Sequence, residues 1–215
     1  MTEFLKKFMI GAIIQTRMGS TRLPGKVMKK IESNNTVLSY VISQLKSCKT
    51  LDKIIIATTT LDEDEIIFDY ANNNGIDCFR GSSDDVLDRH YQCAKKFSCT
   101  DIVRIPSDKP LVDPILVDKI VNEYKKKSFD YVSNFLTETF PSGAEVEIFS
   151  FKTLEKTWKD AKKPSEREHV VPYIMNNPKI FRLHNYSNSE NFSKLRYVVD
   201  RKEDLEVVQK IVARI

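Results

Sequence analysis

The chain reads as an α/β protein: a mostly parallel sheet covered by helices on both faces in a three-layer αβα arrangement, with a small β/α arm. Three observations lead there. Short β-branched runs alternate with segments of helical period, turn residues punctuate the alternation, and the chemistry-bearing residues fall just after strands, where open α/β sheets bind ligands. A length of 215 residues supplies one full core, so a single domain is expected.

Met9–Ile14 is an apolar first strand, followed by an amphipathic helix with Val37, Leu38, Val41, Ile42 and Leu45 on one face. Lys53–Thr58 reads as a buried strand ending in Thr58-Thr59-Thr60, and Asp62–Asn73 as a helix closed by Asn74-Gly75. A short strand at Ile76–Phe79, a helix at Asp84–Phe97, a strand at Thr100–Ile105 and a helix at Pro114–Lys126 continue the alternation. After a strand at Tyr131–Phe135 the rhythm changes. Phe140-Pro141-Ser142-Gly143 makes a turn, Val146–Phe149 a strand, and helices near Phe151–Ala161 and Glu166–Asn176 form an arm on the same domain. A strand at Leu195–Val199 and a helix at Glu203–Ile215 complete the expected order.

Composition narrows the function classes. There are 34 basic and 30 acidic residues, a net charge of +4 with the signs interspersed, which argues against nucleic acid as a partner. Lys125-Lys126-Lys127 reads as a solvated helix end. No apolar stretch approaches a membrane span and no secretory h-region is present at the N-terminus, so a cytoplasmic protein with no membrane partner is expected. Cys48, Cys78, Cys93 and Cys99 contain no CxxC pair, which predicts free, mostly buried thiols; His90, His169 and His184 are too scattered to spell a metal centre or a triad.

The strongest chemical signal is at residues 11–27, an apolar run that empties into Arg17-Met18-Gly19-Ser20-Thr21-Arg22-Leu23-Pro24-Gly25-Lys26. Gly19, Ser20 and Thr21 let backbone N–H groups close on an anion, while Arg17, Arg22 and Lys26 supply charge-assisted hydrogen bonds to its oxygens. A Walker loop requires Ser or Thr after Gly-Lys, and here Val27 follows; the dinucleotide fingerprint requires three glycines at its own spacing. A plain strand-to-helix turn would have no use for three cations in so short a loop.

Two carboxylates are placed for a hard cation. Asp108 lies between Pro106 and Pro110 just past a strand, and Asp200 follows Tyr197-Val198-Val199; strand-end carboxylates of this kind share Mg²⁺ with phosphate oxygens. The bland alternatives are a turn former for Asp108 and a helix N-cap for Asp200. Arg80-Gly81-Ser82-Ser83-Asp84-Asp85-Val86-Leu87-Asp88-Arg89 opens a helix with Ser83 or Asp84 as cap, which leaves Arg80, Asp88 and Arg89 unaccounted for, with a surface pair of Asp88 and Arg89 as the bland alternative to a functional role. In Pro164–His169, Ser165 with Glu168 reads as a capping box, and Arg167 and His169 are cations at a helix start where an anionic acceptor could sit.

With these blocks the chain resembles the spore coat polysaccharide cytidylyltransferase family, relatives of the CMP-sugar synthetases for acylneuraminate and deoxy-octulosonate. The resemblance spans most of the chain and rests on residues 14–26, on Arg80-Gly81 with Asp84–Arg89, on Asp108–Pro114, on Pro141–Glu147, on Pro164–His169, and on Val199-Asp200 with Glu203-Asp204-Leu205. It implies a Rossmann-like nucleotide-diphospho-sugar transferase fold and transfer of CMP from CTP to a sugar acid or other small acidic acceptor, with release of pyrophosphate, for surface polysaccharide synthesis. It further implies Arg17, Lys26 and Asp108 as catalytic, Gly19, Ser20 and Arg22 on the CTP phosphates, and Thr59, Ser82 and Asp88 near cytosine and ribose. Glu145, Glu147, Arg167 and His169 fall on the acceptor side, Asp108 and Asp200 hold Mg²⁺, and residues 134–190 form the arm of a homodimer. Two positions depart from the family pattern: Lys109 stands where Cys is usual, and Glu145 where Asp is common. They leave open a nucleotide-binding protein without catalysis, and because phosphate loops do not read bases a nucleotidyltransferase using another NTP also stays open.

Overall fold

The computed structural model describes residues 8–126 and 128–214; the first seven residues, Lys127 in the lysine cluster and Ile215 at the expected end of the last helix lie outside the described residues. The strands are β1 (Ile10–Gln15), β2 (Lys30–Glu32), β3 (Asn35–Thr36), β4 (Lys53–Thr59), β5 (Asp77–Gly81), β6 (Asp101–Pro106), β7 (Tyr131–Ser133), β8 (Glu147–Ser150) and β9 (Leu183–Asn185). Seven of them form one sheet in the order β5-β4-β1-β6-β8-β7-β9. Only β8 runs against the rest, pairing antiparallel with both β6 and β7. The expected mostly parallel sheet is therefore present, and β8 and β9, from the 134–190 stretch, complete it.

The helices are α1 (Val37–Lys46), α2 (Glu65–Asn73), α3 (Val86–Lys96), α4 (Pro114–Lys126), α5 (Phe151–Asp160), α6 (Pro164–His169), α7 (Pro172–Met175) and α8 (Lys202–Val212). Alternation along the strands sorts them into layers. Ala12, Ile14, Ile56, Val103 and Ile105 pack under α1, α2 and α4, whereas Ile13, Ile55, Ala57 and Ile102 pack under α3 and α5 with Tyr131 and Phe149. Each fully buried Ile or Val here contributes about 1.5–3 kcal/mol, and the strands are buried on both sides because both faces are covered. A third cluster joins Leu23 of the cationic loop and Ile31 of the β2–β3 hairpin to Val199, Leu205 and Val208, so α8 clamps the loop from outside the sheet.

Three expectations are corrected. Leu195–Val199 is not a strand: it makes a single bridge, Ser142 to Arg196, because its N–H groups at Tyr197 and Val199 go to the carbonyls of Ser142 and Asp108 instead of to a ladder. The sheet's last strand is β9, which its short polar sequence Leu-His-Asn did not signal. The helix expected at Glu166–Asn176 is two short ones, broken at Val170 with φ 67°, a left-handed backbone that no helix passes through. Cys93 and Cys99 are buried, Cys48 and Cys78 half-buried, and all four are free thiols. Among the described residues no helix is long and apolar enough to cross a membrane.

Candidate active site

The loop after β1 closes on itself. Gly25 N–H donates to the Met18 carbonyl and Lys26 N–H to that of Leu23, both at 3.1 Å, and Gly25 takes φ 64°, where a side chain would be strained. Asp64, fully buried, accepts from Met18 N–H at 2.6 Å and from the Thr59 hydroxyl, so one carboxylate ties the loops after β1 and β4 together. The N–H groups of Gly19, Ser20, Thr21 and Arg22 have no hydrogen-bond partner among the described residues. They edge a cleft of about 260 Å³ at the carboxyl ends of the parallel strands.

Residues far apart in sequence converge on this cleft. Lys26 Nζ lies 2.7 Å from Asp108 Oδ2 and 3.1 Å from Asp200 Oδ1, and Arg22 lies 2.5 Å from Asp200 Oδ2. The aspartates ride on adjacent main-chain segments, since Val199 N–H donates to the Asp108 carbonyl at 2.8 Å. Gly143, at φ 105°, makes room for the second segment: a Cβ there would stand 2.7 Å from Val198 N. Burial alone would raise the Asp200 carboxyl, but hydrogen bonds from Arg22 and Lys26 hold it below the ordinary carboxylate range. It is also not the N-cap of α8. Arg201 is the N-cap, and the Asp204 side chain in the first turn reaches back to accept from the N–H groups of Asp200 and Arg201 at 2.9 and 2.8 Å.

Sequence reasoning missed Arg89. Its side chain lines the cleft yet is 1% exposed; one guanidinium nitrogen donates to the Ser82 carbonyl, while Nε has no partner. Burial and the charge of Arg17 lower it to about 10, so it remains cationic at neutral pH. Arg17 and Arg89 face one cleft and neither has an ion-pair partner among the described residues, which favours an anion there. Its burial was signalled by helical period: Arg89 and His90 fall on the same stripe as Val86, Leu87, Cys93 and Ala94.

Other expected site residues are spent elsewhere. Thr59 is fully buried with its hydroxyl on Asp64, Ser82 Oγ accepts from Asp85 N–H at 3.0 Å, and Asp88 accepts from Trp158 at 2.8 Å and Gln92 at 3.1 Å; none of the three lines the cleft. Glu147 is 2% exposed and held by Arg104 and Tyr131, so it has no face to offer an acceptor. Arg167 binds Asp85 at 2.6 Å and the carbonyls of Trp158 and Ala161, joining α3 to the α5–α6 corner. His169 is exposed at the end of α6, away from the cleft lining, and the α6 capping carboxylate is Glu166 rather than Glu168. The two departures from the family pattern meet each other. Lys109 Nζ is 2.8 Å from Glu145 Oε2, which also accepts from Gly143 N–H at 2.8 Å. Burial opposes ionisation of Glu145, but Lys109 and that N–H keep its carboxyl below the usual range.

The donor set suits a hard divalent ion. Oxygens of Asp108 and Asp200 already bracket one cation, the Lys26 ammonium, and carboxylate oxygens are what Mg²⁺ or Mn²⁺ takes. Among the described residues no three His, Cys, Asp or Glu side chains converge, so an ion here would draw its remaining ligands from water or phosphate.

A covered, mostly parallel sheet whose first strand empties into a cationic, N–H-lined loop facing Asp108, just past β6, and Asp200 on the adjacent segment defines a nucleotidyltransferase. Known proteins narrow the class. The cytidylyltransferase family profile matches residues 11–213, and the chain belongs to that family, whose members are CTP-dependent nucleotidyltransferases. It is 30% identical to the spore coat polysaccharide biosynthesis protein SpsF of Bacillus subtilis, over 93% of this chain and 84% of that protein. A cytidylyltransferase structure from Leptospira borgpetersenii superposes with a TM-score of 0.91 at 34% identity, covering 97% of this chain and 88% of the other. A CMP:2-keto-3-deoxy-manno-octonic acid synthetase solved with CTP shares the fold, with a TM-score of 0.74 at 13% identity over 96% and 99% of the two chains.

Proposed function

We propose that the protein transfers CMP from CTP to a sugar acid or related small acceptor, releasing pyrophosphate, in the synthesis of a surface glycan. The convergence of Lys26, Asp108 and Asp200 on one point, beside four loop N–H groups that have no partner among the described residues, carries this reading. An acceptor hydroxyl oxygen attacks the α-phosphorus in line and gives up its proton to water; the new P–O bond forms as the bond to the bridging oxygen breaks, and pyrophosphate leaves with that electron pair. Arg17, Arg22, Lys26 and Arg89 offset the charge on the phosphates, while the N–H groups of Gly19 and Ser20 fix their position. Asp108 and Asp200 hold the divalent ion, Mg²⁺ in this reading, which when bound adds charge neutralisation on the phosphate oxygens. Lys26 exchanges carboxylate for phosphate oxygens as the nucleotide enters.

The CTP held by the synthetase of the same fold supports the choice of nucleotide, and SpsF supports the glycan setting. The Lys109–Glu145 pair accounts for both departures from the family pattern without loss of any cleft carboxylate, which favours catalysis over bare nucleotide binding. Incubation with CTP, Mg²⁺ and a panel of sugar acids, hydroxy acids, phosphonates and phosphorylated polyols, read by mass spectrometry, tests the reaction and names the acceptor. Equal pyrophosphate release from other NTPs would remove the preference for CTP, and CTP binding without product from any acceptor would remove the catalysis.

A further inference from the structure

Gln15 ends β1 with its side chain on the cleft floor, directly beside Pro106 in the sheet register. Its amide oxygen accepts from Arg104 at 3.0 Å. Arginine has only donors, so that contact admits the oxygen and rejects the NH₂ group; the amide orientation is dictated by chemistry. Its NH₂ has no partner among the described residues. Arg104 cannot swing away, because its guanidinium is also bound to Glu147, directly opposite it across the β6–β8 ladder. Glu147 in turn is held by the Tyr131 hydroxyl at 2.8 Å, and its side chain is 3% exposed.

We propose that Gln15 is a fixed hydrogen-bond donor to an oxygen of the bound nucleotide, and that Arg104, Glu147 and Tyr131 are positioning residues that hold its amide in that sense. This rests on the nucleotide reading of the cleft and adds to it a substrate contact and a buried relay behind it. The relay explains why a charged chain of side chains is kept inside the sheet, where an apolar core of equal volume would be at least as stable. It also gives Glu147 a task that its distance from the cleft otherwise denies it.

The test is nucleotide binding by calorimetry on the full chain, with Mg²⁺ and no acceptor. Gln15→Glu keeps an oxygen toward Arg104 but turns a second oxygen, not a donor, to the cleft, and should weaken CTP binding by about tenfold or more. Inorganic triphosphate and cytidine separate the sources: a loss shared with triphosphate identifies a phosphate oxygen, and a loss shared only with cytidine a base or ribose oxygen. The double variant Arg104→Met with Glu147→Met removes the relay without leaving a buried charge, and folding is checked by its thermal transition. It should weaken CTP several-fold in the native background and have no effect in a Gln15→Ala background, whereas a merely structural role would cost the same in both. Unchanged affinity in Gln15→Glu, or equal losses in the two backgrounds, overturns the inference while the cleft reading stands. Absence of CTP binding by the native chain overturns both.

Discussion

Lys26 with Asp108 and Asp200, and Arg104 with Glu147, are both cation–carboxylate clusters hung on β6 and its end, yet their surroundings differ. The first faces the cleft, and its aspartates are 23% and 14% exposed. In the second, Glu147 has both oxygens engaged, by Arg104 and Tyr131, and its side chain is 3% exposed. Water and ligands can replace partners in the first, so its charges are available for chemistry. Removing a partner from the second leaves a charge stranded in a medium of low polarity. In the function proposed above the same residue types serve reaction in one place and geometry in the other, and what separates them is access.

The sharpest way to break this contrast is to truncate one member of each. Lys26→Ala and Asp108→Ala should each lower pyrophosphate release by about 10²–10⁴-fold with little change in thermal midpoint, and near-native rates in either would end its catalytic assignment. Glu147→Ala should do the reverse in kind, costing about 3–5 kcal/mol in urea unfolding because Arg104 is left unpaired. A cost near zero would mean that water reaches Arg104 and the second cluster is not closed.

His90 probes the closed region by pH. It is fully buried, and desolvation together with the charge of Arg104 pushes its imidazole down to about 3 from an ordinary 6.5. The folded protein keeps it neutral while the unfolded chain takes up a proton, so its contribution is complete above pH 6.5 and is lost as pH falls toward 3. The loss amounts to about 1.4 kcal/mol per pH unit within that window, and stability curves of His90→Gln should be shallower by that amount. Parallel curves would show the imidazole to be solvated.

The smallest effect is expected at Lys109 and Glu145. Each alanine variant strands its partner, so the double variant should recover about 1 kcal/mol relative to the sum of the singles. Strict additivity would return Glu145 to the acceptor side as an independent carboxylate.

The central strands and the loop were legible because β-branched runs and small-residue turns are local signals. The end of β6 also pointed to Asp108, since α/β topology brings strand ends together whatever their separation in sequence, whereas Asp200 was found by a strand that is not there and reaches the site through the Val199 hydrogen bond to the Asp108 carbonyl. Partnership is not local. Nothing in Val146–Phe149 shows that Glu147 will stand opposite Arg104, and nothing in Asp88-Arg89 shows which of the two turns inward, short of the helical stripe read across Val86–Ala94. Leu195–Val199 misled for the same reason: its composition is that of a strand, but the carbonyls its N–H groups meet belong to turns.

The hydrogen bond from Val199 to the Asp108 carbonyl also bears on when the site comes into being. On the ribosome the cationic loop emerges first and Asp108 midway, while Asp200 emerges only after nearly all of the sheet has left the exit tunnel. A nascent chain can therefore build its sheet before the second carboxylate arrives, and in the function proposed above catalysis has to wait for it.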